Sequence, residues 1–250
     1  MIHHKRLHTI LFGWIVMISL MGRSGSAESV EPVSRSDSSR LVPQTVTDHF
    51  FRLIDTATVE GRLVEYIHIY ADAPDYRPVE ASGEGITCVD DVARSVVLLC
   101  ELYRHSGADS LLPHIRHMIN FLKLMQADDG QFYNFMDRDH RINRTGITSV
   151  KSFGFWAARA VWAIGKAYHA LPPSDYPLLD SLWERSYRQI EQMLAVYPKT
   201  VRYDDQDYPA YLVQTYSSDA SAELLLGMLA YWEFRPDSGL QRDIEKIVEG

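Results

Sequence analysis

From residue 89 onward the sequence alternates between two kinds of helix, and this alternation limits the possible fold more than any other feature. Three segments are apolar around most of their circumference: 89–105, 153–171 and 218–234. Three others are amphipathic: 111–126, 175–196 and 238–249. A helix that is apolar on every side is buried, whereas an amphipathic helix lies at the surface. The pattern therefore predicts an all-α fold in which inner and outer helices alternate as helical hairpins.

The three inner segments also repeat in sequence. Each contains an alanine followed by a charged residue and, nine residues after that charge, an aromatic residue: Ala93-Arg94 with Tyr103, Ala158-Arg159 with Tyr168, and Ala222-Glu223 with Trp232. Chance in alanine-rich helices is the alternative explanation. A common register over three units nevertheless favours a structural repeat.

The segment before these helices is less regular. Thr45 and Asp48 resemble a capping box, and an apolar stripe between Phe50 and Ala57 predicts a helix that Gly61 ends. The stretch LVEYIHIY, 63–70, alternates enough to predict a short strand or an extended loop.

Two segments precede the folded domain, which the sequence places at 45–250. Residues 1–27 combine a basic start, a short apolar run and small residues at Gly25 and Ala27, which is the pattern of a cleaved secretory signal peptide. The apolar run is shorter than the about 20 residues that span a bilayer, and an uncleaved anchor is the alternative. Residues 28–44 are rich in Ser, Pro and charge and predict a flexible linker. We therefore expect an exported protein, either periplasmic or secreted.

The charge balance limits the possible partners. The chain has 33 Asp and Glu against 25 Lys and Arg, and three of the basic residues lie in the signal peptide. The mature chain is therefore strongly acidic, which argues against nucleic acid and against anionic membrane surfaces. We expect no stable membrane insertion after signal cleavage. A neutral or cationic ligand fits this charge, as does an acidic glycan held by local arginines.

The two cysteines are predicted to stay reduced. Cys88 and Cys100 lie in or beside one helix, which places them ~18 Å apart along its axis. A disulfide needs Cα atoms within about 7 Å of each other. Both thiols are therefore interpreted as small apolar core residues.

Three long loops, 62–87, 128–150 and 198–215, each precede an inner helix. If the inner helices run in the same direction, all three loops lie at one end of the bundle. Each loop carries aromatic and acidic side chains, and loops this long in a compact domain are usually functional. We therefore expect the functional site at this end.

Two groups of segments resemble a known family. FLKLMQADDGQFYNF, 121–135, resembles the end of an outer helix in six-hairpin glycosidase-like (α/α) toroids, where Gln, Asp-Gly and an aromatic residue mark the turn. TCVDDVARSVVLLCELY and KSFGFWAARAVWAIGKAY are similar to a helical domain of exported bacterial carbohydrate-active proteins. The resemblance covers 45–250 and implies a carbohydrate substrate or ligand. It assigns no catalytic pair.

The number of inner helices is smaller than this family requires. A six-hairpin toroid at the spacing of the repeat needs about 400 residues. The sequence shows three inner helices and ends within an amphipathic pattern, GLQRDIEKIVEG. It therefore predicts a partial (α/α)6 toroid, incomplete at its C-terminus, which missing hairpins or a partner chain would complete.

Asp90 and Asp91, at the start of the first inner helix, have three candidate roles. In the first turn they suit the helix dipole or a cap, and either can pair with Arg94. A second carboxylate at the mouth of an apolar bundle is costly to desolvate, and because the two repel, one is a candidate proton donor in a glycan site. A metal site is the third role, but the D-D-x-x-D pattern of terpenoid cyclases would need an acid where Arg94 stands.

The other candidates follow from the repeat and the loops. Asp219 occupies in the third unit the place of Asp90, so the candidate catalytic residues are Asp91, Asp90 and Asp219, although each also suits a plain helix start. The candidate substrate-binding residues are Arg94, Tyr133, Asn134, Asp137, Lys151, Trp156 and Tyr216. Carboxylates protonate a leaving group or activate water, and aromatic faces stack on sugar rings.

These residues favour a glycoside hydrolase that acts on a glycan or oligosaccharide by carboxylate acid–base chemistry. A non-catalytic glycan-binding or scaffold protein is the alternative, as is a polysaccharide lyase on the same fold. We expect no metal and no cofactor, because His114 and His117 have no nearby acid motif and the sequence has no phosphate-binding loop.

Overall fold

The computed structural model describes residues 44–250. The predictions of a signal peptide at 1–27 and of a linker at 28–44 fall outside this range, except for Gln44. No helix among the described residues is long and apolar enough to cross a membrane.

Seven helices form the described part of the chain, and they confirm the alternation. They are α1 Gln44–Arg52, α2 Val89–Ser106, α3 Leu112–Met125, α4 Phe155–Ala167, α5 Tyr176–Leu194, α6 Ser218–Phe234 and α7 Ser238–Val248. The inner helices α2, α4 and α6 pack side by side, and α3, α5 and α7 lie on their outer side. The fold is therefore all-α in its main body.

Eight short strands form four two-stranded antiparallel sheets between the helices. They are β1 Ile54–Val59, β2 Arg62–Ile67, β3 Tyr70–Asp72, β4 Arg77–Val79, β5 Thr87–Cys88, β6 Phe135–Met136, β7 Thr200–Tyr203 and β8 Gln206–Pro209. Consecutive strands pair as β1–β2, β3–β4, β5–β6 and β7–β8. The strand or extended loop predicted at 63–70 is confirmed by β2.

The prediction of one helix up to Gly61 is wrong, because α1 ends at Arg52 and β1 begins at Ile54. β1 is rich in β-branched residues, which suit a strand better than a helix. Glu60 and Gly61 then adopt positive φ angles of 52° and 75°. Two successive residues with positive φ form a tight hairpin turn, and β2 packs on α3.

The inner helices approach each other at backbone distance. A Cβ atom on Gly165 of α4 would lie 2.4 Å from the carbonyl oxygen of Gly227 in α6, and a Cβ on Gly227 would lie 2.6 Å from the amide nitrogen of Trp162. Only glycine permits this contact. It fixes α4 and α6 as neighbours in the ring of inner helices.

The inner helices are not buried on every side, which corrects the prediction from composition. Leu98 of α2 is 38% exposed, and Leu226 and Leu229 of α6 are 45% and 41% exposed. A segment of a ring leaves its inner face and its last edge uncovered, and exposed leucines on inner helices are what such a segment would show. The apolar character of α2 and α6 therefore exceeds what the described residues bury.

The three inner helices begin at the same end, as predicted. Arg159 of α4 bonds Asp90 near the start of α2 and Glu223 in the second turn of α6. The preceding loops also meet: β5 pairs with β6, and a Cβ on Gly154 would lie 3.1 Å from Nε2 of Gln214. We call this end the mouth.

Candidate functional site

A cysteine thiol caps the start of α2. Cys88 is the N-cap residue, and its Sγ accepts a hydrogen bond from the backbone N–H of Asp91 at 3.5 Å. Its S–H donates to Oδ2 of Asp91 at 3.2 Å. Burial and the charge of Asp91 raise the pKa of the Cys88 thiol above its ordinary value. Cys88 thus provides the cap that the sequence left open to Asp90 or Asp91.

Asp90 belongs to a charge network in which Arg159 joins all three inner helices. Its Oδ1 accepts a hydrogen bond from Nη1 of Arg159 at 2.5 Å and lies 3.4 Å from Nε of Arg94. Nε of Arg159 donates to Oε1 of Glu223 at 2.9 Å. Asp90 is 16% exposed, so these charges interact more strongly than surface pairs do. We call Asp90, Arg94, Arg159 and Glu223 the acid–arginine cluster.

Asp91 lies beside this cluster and is more accessible, with 25% of its side chain exposed. It pairs with Arg94, and its backbone oxygen accepts a hydrogen bond from the hydroxyl of Ser95 at 2.8 Å. Each of the two adjacent aspartates therefore has an arginine partner. The sequence predicted mutual repulsion between them, and this repulsion is offset by Arg94 of α2 and Arg159 of α4.

A second pair of charges lies deeper on the same face of the inner helices. Lys166 of α4 pairs with Glu101 of α2, and this hydrogen bond lowers the pKa of Glu101. Both residues stand seven positions after a cluster arginine, which corresponds to ~10 Å along a helix. Half-buried Trp162 and exposed Leu98 lie between the two levels. We call this face of α2 and α4 the channel face.

Asp219 begins α6 in the register of Asp90 but is exposed. The hydroxyl of Ser217 donates to its Oδ1 at 2.6 Å, and this bond together with the Ala220 backbone amide holds the pKa of Asp219 below its usual range. The charge of Arg159 acts in the same direction. Asp219 therefore lies at the mouth, near the cluster and outside its hydrogen bonds.

Tyr133 and Asn134 lie on the loop that supports α2. The carbonyl of Asn134 accepts a hydrogen bond from the Val89 amide at 2.8 Å, and its side-chain amide donates to Thr148. Its buried Oδ1 has no partner among the described residues. Arg144 stacks on the ring of Tyr133 at 4.5 Å and donates to its hydroxyl at 2.7 Å.

Three other predicted binding residues have local structural roles. Oδ1 of Asp137 accepts hydrogen bonds from the backbone amides of Asp139 and Arg141, which forms a turn. Lys151 pairs with Asp129, and this hydrogen bond raises the pKa of Lys151. Trp156 is only 6% exposed, and its indole N–H donates to the carbonyl of Phe132. Its ring thus packs in the core rather than facing a sugar.

Tyr216 belongs to an exposed group of aromatic rings. Its ring stacks on Tyr203 with centroids 5.9 Å apart and planes 17° apart, and it lies 5.6 Å from the ring of Tyr208. Tyr203 and Tyr216 are both more than half exposed. We call these three residues the tyrosine cluster; Tyr203 and Tyr208 lie on β7 and β8, and Tyr216 lies two residues before α6.

Three residues of the site were not selected from the sequence: Arg159, Glu223 and Trp162. Arg159 and Glu223 occupy the charged position of the repeat, the position of Arg94, so the register could have identified them. Trp162 stands three residues after Arg159, which places it on the same helix face.

Metal ligation has no support in the part of the chain that the structure describes. Residues 44–250 contain no group of three His, Cys, Asp or Glu side chains that could hold a metal ion. His114 and His117 instead hold the buried carboxylate of Glu65, with their Nδ1 atoms at 2.6 and 3.0 Å from its oxygens.

Comparison with known proteins supports the fold. No family model matches the sequence, and no curated protein matches it. A family 76 glycoside hydrolase from a bovine Bacteroides thetaiotaomicron strain is similar in structure, with a TM-score of 0.54 and 12% identity over 81% of this chain. A polysaccharide lyase has a TM-score of 0.43 and 15% identity, covering 69% of this chain and 49% of its own. A metagenome-derived family 9 endoglucanase has a TM-score of 0.44 and 16% identity, covering 80% of this chain and 44% of its own.

The likeness to the family 76 enzyme confirms the (α/α) toroid fold, and with it the six-hairpin glycosidase-like resemblance at the level of architecture. This chain corresponds to 40% of the length of that enzyme.

Proposed function

We propose that this protein is carbohydrate-active and that it binds and hydrolyses a glycan at the mouth of the inner helices. One observation carries the proposal: the acid–arginine cluster and Asp91 lie on the uncovered channel face of a toroid segment. Charged groups that are partly removed from water interact strongly and can be aimed at a reacting bond. The neighbouring tyrosine cluster supplies the aromatic faces on which sugar rings stack.

The three candidate aspartates differ in their freedom to react. Asp90 is engaged by two arginines, so we assign it to positioning the cluster. Asp91 is more exposed and shares its arginine with Asp90, so we assign it to proton transfer at the glycosidic oxygen. Asp219, across the mouth on α6, is the second carboxylate, which activates water or attacks the sugar.

The remaining predicted binding residues divide by position. Arg94 and Tyr216 lie at the mouth, where they would contact hydroxyl groups and the face of a sugar ring. Tyr133 and Asn134 lie on the supporting loop, and because Asn134 is buried we assign it to holding that loop against α2 rather than to contact with a sugar. Trp162 on the channel face takes the stacking role that the sequence gave to Trp156.

The test is hydrolysis of a panel of neutral and acidic glycans, followed by the release of reducing ends. We expect activity that Asp91→Asn removes and that Asp137→Asn preserves, because Asp137 only forms a turn. Binding of a glycan without release of reducing ends by the wild type would contradict hydrolysis and indicate a glycan-binding protein.

A polysaccharide lyase is the second candidate, and the arginines favour it. A lyase needs a cation to neutralise the carboxylate of a uronic acid before a proton is removed. Arg94 and Arg159 could supply that charge. Products that absorb in the ultraviolet through a new carbon–carbon double bond, with activity confined to acidic glycans, would identify the lyase.

We propose that a second copy of the chain completes the ring. The described residues contain three inner helices, half of the six in a full toroid, and a two-fold rotation about the toroid axis would supply the rest. The exposed leucines of α6, Leu226 and Leu229, would then pack against the partner copy. Light scattering should show a dimer that the Leu226→Lys/Leu229→Lys variant dissociates, whereas Leu63→Lys on the β2 hairpin should not. A monomeric wild type would contradict the second copy and point to further hairpins instead.

We propose export as well. The mature protein should begin near Glu28 and should be found outside the cytoplasm. Amino-terminal sequencing that finds Met1 in a membrane fraction would contradict this.

A further inference from the structure

A cavity of about 270 Å³ opens on the outer wall, away from the channel face. It lies where the β1–β2 hairpin meets the end of α3 and the side of α5. Its polar lining residues are Glu60, Arg62, Lys123, Gln126, Asp128 and Arg185. We call it the basic cavity, because three of these six side chains are cations that come from three separate elements.

The basic cavity has three cations against two carboxylates, Glu60 and Asp128, so its positive charges are incompletely balanced. Arg185 pairs with Asp128 at 2.8 Å, but Asp128 is fully exposed, so water screens its charge. Nζ of Lys123 donates to the hydroxyl of Ser181 at 2.9 Å, which carries no charge. Burial, together with the charges of Arg185 and Arg62, lowers the pKa of Lys123 to about 8. A bound anion would relieve this repulsion.

Part of this arrangement has a structural explanation. Lys123 lies in the last turn of α3, where a cation suits the helix carbonyls. That role explains one positive charge. It does not explain why Arg62 and Arg185, from a hairpin and another helix, line the same cavity.

Gln126, in the wall of the cavity, also carries an unused acceptor. Gln126 is buried, and its Nε2 donates to the carbonyl of Leu182 and to the hydroxyl of Ser186, both at 3.0 Å. These bonds fix the amide orientation. Its Oε1 then has no donor among the described residues. Because a buried carbonyl oxygen without a donor is costly, an occupant with an O–H group is favoured.

We propose that the basic cavity binds a hexuronate unit of an acidic glycan, with its carboxylate against Arg62, Lys123 and Arg185 and a hydroxyl donated to Oε1 of Gln126. A carboxylate would neutralise the cations, and a hydroxyl of the same sugar would donate a hydrogen bond to the acceptor. The volume admits one monosaccharide. This site lies on the outer side of α3 and α5, so it is separate from the residues to which we assign hydrolysis.

The experiment is calorimetric titration of the purified protein with D-glucuronate, with D-glucose and inorganic phosphate as comparison ligands. We expect millimolar binding of glucuronate and none of glucose. Lys123→Met removes the charge and keeps the aliphatic stem, and it should weaken binding at least tenfold. Lys246→Met, on α7, is the matched control and should leave binding unchanged.

Two further measurements sharpen the test. Binding should weaken as the pH rises through about 8, because Lys123 then loses its proton. Gln126→Leu should weaken glucuronate binding but not phosphate binding if the hydroxyl contact exists. Equal affinity for glucuronate in wild type and Lys123→Met, or no binding at millimolar concentrations, would overturn the proposal. Phosphate bound more tightly than glucuronate would overturn the assignment to a hexuronate.

Discussion

The beginnings of α2 and α6 occupy the same register of the repeat, yet their aspartates have different surroundings. Asp90 is mostly buried and bonded to arginines from two helices. Asp219 is exposed and bonded to the hydroxyl of its neighbour Ser217. The middle unit of the repeat causes the difference. Its Arg159 bonds directly to Asp90 and Glu223, whereas Asp219 interacts with Arg159 only through the longer-range attraction of its charge. A repeat therefore conserves the position of a charge but not its partners.

This contrast distinguishes a carboxylate with a structural role from one that is free to react with a ligand. A carboxylate enclosed by two guanidinium groups gains stability from them and has little freedom to move. A carboxylate at an exposed helix start contributes less to stability and remains open to a ligand. Asp91 lies between these extremes, since it pairs with Arg94 and with the Cys88 thiol but keeps a quarter of its surface exposed.

Loss of Arg159 should remove the feature that distinguishes Asp90 from Asp219, and it should have the largest effect on stability. Arg159→Met keeps the aliphatic stem but leaves Asp90 and Glu223 partly buried without their shared cation. We expect the free energy of unfolding to fall by about 2–4 kcal/mol, below the full cost of a completely buried pair. Urea denaturation measures it. Arg188→Met, on the exposed side of α5, should change stability little, and equal losses in the two variants would show that the cluster is not stabilising.

Loss of Asp91 should separate catalysis from folding. Asp91→Asn should fold with near-native stability and lose ~10²-fold or more in the rate of glycan cleavage, because it removes proton transfer. Asp90→Asn should instead lose stability first, since its oxygen serves two arginines. The comparison needs rates measured at matched fractions of folded protein. Near-native rates in both variants would leave the pair as a helix terminus alone.

The sequence predicted the helices well because their signals are local. The predicted limits of the last inner helix, 218–234, match α6, since a serine start and a continuous apolar run define it. β1 was missed because its apolar positions also fit a helical stripe, and only the positive φ angles at Glu60 and Gly61 fix the hairpin.

The site was harder to predict because it depends on helix rotation and on distant partners. Trp156 and Trp162 lie on one helix, six residues apart, so they point about 120° away from each other. Composition cannot tell which one faces the channel. The bond between Asp90 and Arg159 crosses 69 residues. In the register of the repeat the two residues stand four positions apart, since Asp90 lies three residues before Ala93 and Arg159 lies one residue after Ala158, and the repeat does not give the helix rotation that brings them into contact.

Removal of the thiol cap should have a moderate effect at the start of α2. Cys88→Ala deletes the side-chain acceptor of the Asp91 amide at the N-cap, and we expect a loss of about 1 kcal/mol. Ser217→Ala should cost less, because Ser217 makes no side-chain cap bond to α6. Thermal denaturation of both variants measures the difference. A larger loss in Ser217→Ala would reverse the proposed order of the two helix starts.

The smallest effect on stability should come from Asp219→Asn. Asn can still accept the Ser217 hydroxyl and suits a helix start about as well as Asp, so the urea midpoint at neutral pH should stay close to that of wild type. Because the folded protein holds the pKa of Asp219 below its unfolded value, its charge favours folding above the unfolded pKa. That contribution disappears as the pH falls through the lowered pKa. The two stability curves should therefore converge in acid and differ slightly at neutral pH. Curves that instead diverge in acid would mean that the carboxyl of Asp219 is stabilised in its protonated form, which would contradict the stabilising influence of the Ser217 hydroxyl and of Arg159 on its charge.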